Sequence, residues 1–449
     1  MPISKLESDK KFLFKSTLYN VLSTILKVIG PLLAILTARI FGKEEFGIFV
    51  SAQLWMLTLS RVAVLGLDKG LNWFLPQNMV RNRPLHLGYG ESFRRSVLIA
   101  TGITLLLLLY ASFGLHKYAE SLKTLSRIEI FLYAISLAPL VMMHIFGGAA
   151  EGVKKPQYKM FITDCAVSAI APLISIALYF MSIPYALPLG LASSNILGCF
   201  IYLPLMKRIL PLKLESKKIP RELLLYSLPR GFSEVISSVL MRTDLWMVLL
   251  LLGPAEAGVY AVMLTVSNGL RTVRQSFNPI LLPVVAGMSE ERLKTDLKPV
   301  YSYCVGMVTF IQLVIGVFIV VFPNEILMIA GKDFIVQPSA LGILLFANLL
   351  GGFFGMAGAT LNGMGKSFYT FKLDTASLAV AFLANYLLIP PFGLVGAALS
   401  TFIFTLFQAV WNNAYMLKLG LWPYSKKLFI QGFGAIALIF LYYLLFFME

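Results

Sequence analysis

The sequence predicts an all-α polytopic membrane protein: two six-helix lobes arranged as a parallel tandem repeat, followed by one additional C-terminal helix. Three observations lead there. Of 449 residues, 58% are hydrophobic and 13% charged, with mean hydropathy +0.80, whereas soluble domains carry about a quarter charged residues. Apolar runs that can cross a hydrocarbon core, about 20 residues each, recur from Ser16 to the C-terminus. Two short motifs also recur at one common offset of 211 residues.

The runs give thirteen spans, at 16–40, 47–71, 97–115, 128–150, 158–181, 185–206, 223–252, 257–285, 301–322, 340–364, 368–389, 392–417 and 428–446. The first is long enough to span and lacks a small-residue cleavage site, so it reads as a retained helix. Basic residues near span ends stay on the cytoplasmic side. Counted from the N-terminal tail, alternate connections hold 24 Lys and Arg residues and the opposite set holds 5. This predicts a multi-pass protein of the cytoplasmic (inner) membrane with a cytoplasmic N-terminus. The formal net charge of +16 is spread over seven short loops, so topology explains it and nucleic acid is not an expected partner. Cys165, Cys199 and Cys304 lie apart inside apolar segments, which suggests neither a disulfide framework nor a zinc site.

The duplication is visible in the residues. Gly42-x-x-Glu45-x-Gly47-Ile48-Phe49 matches Gly253-x-x-Glu256-x-Gly258-Val259-Tyr260, and Gly152, Lys155 and Tyr158 fall on Gly363, Lys366 and Tyr369. Six spans separate the copies, an even number, so both halves share one orientation and are related by an axis along the membrane normal. The predicted division is 1–212, 213–423 and a further span in 424–449.

Chemistry is sought among the charges left inside spans, because a charge at a helix centre costs about 2.5–3.5 kcal/mol on insertion scales and is normally paired or faces an aqueous cavity. Arg61 lies 14 residues beyond Gly47, and Arg271 lies 13 beyond Gly258. At about 1.5 Å per residue both are roughly 20 Å along their helices. Arg274 shares a face with Arg271, Lys27 sits mid-span in the first helix, and Arg242 is deep in the seventh. Lys27, Arg61, Arg242, Arg271 and Arg274 are therefore the candidate substrate ligands, suited to an anion and above all to a diphosphate, whose oxygens guanidinium forks bind in pairs. The competing reading pairs them internally, Arg61 with Asp68 and Arg242 with Asp244 or Glu234. Asp68, Asp164, Glu234, Asp244 and Asp374 form the acidic set, available for ion coupling or for structural pairing; for Asp164 and Asp374, pairing with the nearby Lys159 and Lys372 is favoured. Gly30-Pro31, Pro229, Pro279 and Pro283 are expected kinks or hinges. His144, inside a span, is expected to be a satisfied core histidine rather than a proton site.

No GxSxG, Walker loop or metal-ligand cluster occurs, and no loop is large enough for an extramembrane active site. An enzyme is not expected, nor a cofactor.

Ala38-Arg39-Ile40-Phe41-Gly42-Lys43-Glu44-Glu45-Phe46-Gly47-Ile48-Phe49, Gly66-Leu67-Asp68-Lys69-Gly70-Leu71, Phe74-Leu75-Pro76, Ser227-Leu228-Pro229 and Leu252-Gly253-Pro254-Ala255-Glu256 resemble the polysaccharide transporters and O-antigen flippases of the multidrug/oligosaccharidyl-lipid/polysaccharide exporter superfamily. The resemblance implies a V of two lobes, like that of the superfamily's multidrug exporters, around a cavity open to one leaflet at a time. It implies a flippase for a polyprenyl-diphosphate-linked oligosaccharide, a precursor of cell-surface glycan. Lys27 and Arg61 look like counterparts of cavity cations in lipid II flippases of the superfamily; where these carry a further arginine in the first helix, Leu33 stands, which points away from lipid II itself. The alternative is an H+- or Na+-coupled exporter of small molecules, although the first helix lacks the acidic cation site of many drug exporters. The expected partners are the lipid-linked oligosaccharide, membrane lipids and, beyond these, a glycan polymerase or glycosyltransferases.

Overall fold

The computed structural model describes the backbone of residues 3–80, 84, 88–113, 125–153, 155, 158–159, 162, 169–210, 219–286, 290–295, 297–364, 367–422 and 424–437, with side chains from residue 29 onward except at some helical positions. Every regular element among the described residues is helical, as required where lipid offers no partner for backbone N–H and C=O groups. Among the described residues, seven helices are long and apolar enough to cross a membrane. Two of them, Ile29–Val64 and Lys372–Lys418, each take in two predicted spans. Their loops reduce to single non-helical glycines, Gly42 (φ 79°, ψ 169°) and Gly393 (φ 59°, ψ −133°).

Close contacts divide the chain into two compact units, Met1–Ile40 with Ser51–Ile236, and Phe41–Val50 with Ser237–Glu449. Unit 1 draws on α1 (Ile3–Val64), α2 (Leu67–Val80), α3 (Tyr89–Ser112), α4 (Arg127–Gly152), α5 (Ala171–Phe180), α6 (Ala186–Ile209) and α7 (Arg221–Leu240). Its core helix is α4, packed against α2, α3 and α6. A capping box starts it: the Ser126 hydroxyl accepts from the Glu129 amide and the Glu129 carboxylate accepts from the Ser126 amide, which satisfies two orphan donors. Its far end is a run of small residues, Gly147-Gly148-Ala149-Ala150-Glu151-Gly152. A Cβ on Gly148 would stand 2.6 Å from the Asp68 Cα, and one on Gly152 2.7 Å from the Leu71 carbonyl. Small residues thus let α2 approach at backbone distance. On α3, by contrast, Leu98, Leu105, Leu106 and Leu109 are exposed, the composition of a helix facing lipid.

The predicted second span is broken. Leu65 (φ 51°) and Gly66 (φ 70°) both adopt the left-handed conformation between α1 and α2, at a cost of about 1–2 kcal/mol for the leucine. The seventh span is broken too, at Met241–Arg242, between α7 and α8 (Thr243–Leu251). The helix runs on through Pro31 and Pro229, so these expected hinge sites are not where the chain breaks.

Unit 2 holds α8, α9 (Pro254–Ala286), α10 (Glu290–Thr295), α11 (Leu297–Val321), α12 (Pro323–Met328), α13 (Pro338–Phe354), α14 (Met356–Gly363), α15 (Ser367–Lys418) and α16 (Lys426–Leu428). Here α13 is the core helix, against α9, α11 and α15. The segment after α15 is tied down by Tyr424, whose hydroxyl lies 3.1 Å from that of Tyr301 and donates to Asn413 Oδ1 at 3.0 Å. Beyond it the expected thirteenth span is described only as far as Ala437.

The two copies of the glycine motif meet inside unit 2. Gly42 and Gly253 both have positive φ (79° and 104°), and α4 and α14 end on Gly152 and Gly363, the second matched pair. A Cβ on Gly47 would strike the Pro254 carbonyl, and one on Gly258 would stand 2.6 Å from the Lys43 carbonyl and 2.9 Å from the Gly47 Cα. The contact is reciprocal, as a two-fold relation demands.

Candidate functional site

In unit 2 the break between α7 and α8 sets Arg242 as the residue preceding α8 and Asp244 in its first turn. The Asp244 carboxylate is well supplied with donors. Its Oδ1 accepts the Leu245 amide at 2.8 Å, and its Oδ2 accepts the Tyr260 and Thr401 hydroxyls, each at 3.1 Å. Sequence reasoning missed both hydroxyls. Tyr260 belongs to the quoted glycine motif, so its hydroxyl was a legible signal; Thr401, 157 residues from Asp244, carried none.

Arg271 and Arg274 rise from α9 one turn apart and have different commitments. Arg274 Nη1 donates to the Gly351 carbonyl at 2.7 Å, and its guanidinium fills the notch left by the missing side chain of Gly355. Arg271 reaches only the Met241 sulfur, at 3.1 Å, and its buried Nε has no hydrogen-bond partner among the described residues. It lies within electrostatic reach of both Asp244 and Arg242, and Arg274 lies within reach of Arg271. Arg271 is thus the guanidinium that faces Asp244, with Arg242 and Arg274 each in reach of Arg271. In a low-dielectric span the unpartnered Arg271 Nε is expensive unless an anion or water answers it.

Unit 1 presents Arg61 in the last turn of the helix before the break and Asp68 in the first turn after it. They form an ion pair at 3.6 Å across the break, with Asp68 buried and Arg61 29% exposed, so the internal pairing expected of Arg61 is present. The exposed part of the guanidinium keeps donors free for a second anion, because one fork carries five N–H groups. Behind it Glu151 accepts from Lys159 at 2.9 Å and from Asn72 at 3.0 Å. Lys159 was expected beside Asp164; its partner here is Glu151. His144 is buried within range of Arg61, Lys69 and Lys159. Its Nε2 has no partner among the described residues, which departs from the satisfied core histidine expected of it.

The side chains of Lys27 and Glu234, and Asp164 altogether, lie outside the described residues. Asp374 is partly buried near the start of α15. Among the described residues no three His, Cys, Asp or Glu side chains form a metal-holding group.

Comparison with known proteins bears on the fold and on the family. The fold is that of a structure titled lipid II flippase MurJ in an inward closed conformation, with TM-score 0.71 at 13% identity over 96% of this chain and 94% of that one. It is also that of a multidrug resistance MATE family transporter of the MOP superfamily, inward-facing, with TM-score 0.63 at 16% identity over 90% and 95%. A eukaryotic MATE transporter gives TM-score 0.60 at 12% identity over 95% and 99%. No curated protein sequence matches the chain. The family described as polysaccharide biosynthesis protein matches residues 13–288, more than half of the sequence, and this multi-pass membrane chain belongs to that family.

Proposed function

We propose that the chain is a flippase that moves a polyprenyl-diphosphate-linked oligosaccharide across the cytoplasmic membrane by alternating access, with no bond made or broken. The observation that carries the reading is Arg271 on a membrane helix, within electrostatic reach of Asp244, Arg242 and Arg274, whose buried Nε has no hydrogen-bond partner among the described residues. A diphosphate supplies oxygens that a guanidinium fork binds in pairs. Arg61, at the matching depth of the first repeat, supplies a second cation, and Lys27 and Arg242 complete the set. The tail of the carrier remains in lipid. Membership of a polysaccharide biosynthesis family supports a glycan precursor as cargo, and glycosyltransferases or a polymerase acting on it as neighbours. The repeat assigns 1–212 and 213–423 to the two lobes and 424–449 to an added span; the basic loops assign the N-terminus to the cytoplasm.

The alternative, an H+- or Na+-coupled exporter of small molecules, is favoured by one observation: the Asp244 carboxylate with the Tyr260 and Thr401 hydroxyls, an all-oxygen group that suits a hard cation. One experiment separates the readings. Proteoliposomes are loaded with a fluorescent polyprenyl-diphosphate oligosaccharide, and its movement is followed by quenching for the parent and for Arg61→Ala/Arg271→Ala. Loss of movement with intact insertion supports the flippase. Full movement in the double variant, or transport of an organic cation driven by an imposed proton or sodium gradient, sinks it.

A further inference from the structure

Unit 1 contains, besides the first copy of the repeat, the opening helix of the second, and glycines seat one on the other. A Cβ on Gly70 would overlap the Ser227 Oγ and stand 3.0 Å from the Ser227 Cβ. One on Gly66 would be 2.5 Å from the Gly231 N, and one on Gly231 2.6 Å from the Leu65 carbonyl carbon. Beside this seat the Trp73 and Tyr226 rings stack at 4.3 Å and 5°. The seat lies just ahead of the Arg81-bearing loop, one of those whose charge assigns it to the cytoplasmic face.

Three features distinguish this contact from static packing. First, it is built once. At the 211-residue offset Gly66, Gly70 and Trp73 correspond to Phe277, Leu281 and Val284, and Tyr226, Ser227 and Gly231 to Lys15, Ser16 and Asn20. Neither the glycines nor the aromatic pair recur, unlike the reciprocal contact at Gly47 and Gly258. Second, the Ser227 Oγ is buried without a hydrogen-bond partner among the described residues, a group that separation of the helices would hydrate. Third, a joint stands at the seat. Leu65 and Gly66 hold left-handed backbone, and the ion pair of Arg61 with Asp68 spans that joint at 3.6 Å.

We propose that the α2–α7 seat is a gate at the cytoplasmic end of the pathway, hinged at Leu65–Gly66 and latched by Arg61 with Asp68, and that an anion bound at Arg61 releases the latch by taking the guanidinium from Asp68. The proposal rests on the alternating-access reading for its purpose but not for its test. The gate opens by parting backbone surfaces that carry few interlocking side chains, so little apolar area is exposed in the movement. A diphosphate competes well for Arg61 because it offers two or more oxygens to a partly exposed guanidinium, where Asp68 offers one at 3.6 Å.

The test uses the full chain in proteoliposomes, with Cys165, Cys199 and Cys304 replaced by alanine and Ser227→Cys added. The rate of maleimide labelling at position 227 reports the open gate. We expect slow labelling that inorganic diphosphate accelerates about tenfold, a rate raised to a similar level without diphosphate by Asp68→Asn, and no response to diphosphate in Arg61→Ala. A labelling rate that is the same in all variants, with or without diphosphate, overturns the gate. A second pair, Gly70→Cys with Ser227→Cys, is then oxidised; a cross-link that leaves transport of the lipid-linked oligosaccharide unchanged also overturns it, whereas arrest reversed by reductant supports it. If no lipid-linked oligosaccharide moves in any variant while labelling responds as expected, the substrate reading fails and the gate stands.

Discussion

Consider Arg271→Ala beside Arg274→Ala, two truncations of the same side chain one helical turn apart on α9. Arg274 Nη1 donates at 2.7 Å to the Gly351 carbonyl, and its guanidinium fills the Gly355 notch. Removing it orphans a carbonyl inside the core of unit 2 and opens a void. A hydrogen bond involving a charged group contributes about 1.5–3 kcal/mol. At about 2 °C per kcal/mol for a large domain, Arg274→Ala lowers the midpoint of thermal unfolding by about 3–6 °C. Among the described residues Arg271 has a sulfur contact at 3.1 Å and a buried Nε without a hydrogen-bond partner. Its removal relieves an unsatisfied donor, so the midpoint stays within about 1 °C. If Arg271 grips phosphate, the same 1.5–3 kcal/mol appears instead in substrate affinity, about a 10- to 150-fold loss. Both quantities are measurable on detergent-purified protein, the first by fluorescence-detected thermal unfolding and the second by competition with inorganic diphosphate. The reasoning is refuted if Arg271→Ala unfolds as early as Arg274→Ala, or binds diphosphate as tightly as the parent.

Gly258→Leu drives a side chain into the Lys43 carbonyl and the Gly47 Cα, which lie 2.6 and 2.9 Å from its Cβ position; it should destabilise by about 1–3 kcal/mol, the usual cost of overpacking. Gly269→Ala, on the same helix with nothing within 4 Å of its Cβ position, should stabilise by up to about 1 kcal/mol through helix propensity, and thermal unfolding of the two variants separates a packing role from a general intolerance of α9 to change. Tyr424→Phe removes contacts to Tyr301, Asn413 and the Phe353 carbonyl and should cost about 1–3 kcal/mol, read as earlier proteolysis after Lys418 or Lys426 in a limited trypsin digest.

Much of the fold was legible because lipid imposes a single rule. A chain that must satisfy its backbone internally over about 30 Å does so as helix, so apolar length alone located Arg127–Gly152 and Leu297–Val321 to within a few residues. The breaks were not legible in the same way. Proline is the sequence cue for a break, yet helices run through Pro31 and Pro229, where a membrane helix loses one hydrogen bond and continues. The chain breaks at Leu65–Gly66 instead, where the close approach of Ser227 and Gly231 decides the backbone from more than 160 residues away. The site divides along the same line. The Arg61–Asp68 pair is local and matches the competing reading of Arg61, while the different commitments of Arg271 and Arg274 depend on Gly351 and Gly355, and the Asp244 environment depends on Thr401. Sequence spacing identifies which charges are deep; only packing decides which of them are already spent on the protein.

The duplication gains geometric content from the same contacts. Gly47 meets the start of the second motif as Gly258 meets the first, so the two motif copies pack reciprocally. Under that symmetry Arg61 corresponds to Thr272, not to Arg271. One residue along a helix is about 100° of rotation for only about 1.5 Å of rise. Along their own helices the two arginines are thus one position out of register, and they differ in partner: Arg61 pairs with Asp68, and the Arg271 Nε has no partner among the described residues. A duplicated scaffold with symmetric cations would present equivalent sites, suited to a symmetric ligand or to two copies of one. Cations out of register and with different partners give the two repeats unlike binding groups. Moving the second cation back into register, Arg271→Thr with Thr272→Arg, keeps composition, depth and net charge and changes only direction. Transport lost in that variant while its thermal midpoint is retained would assign the function to the broken symmetry; transport retained would assign it to charge at the right depth alone.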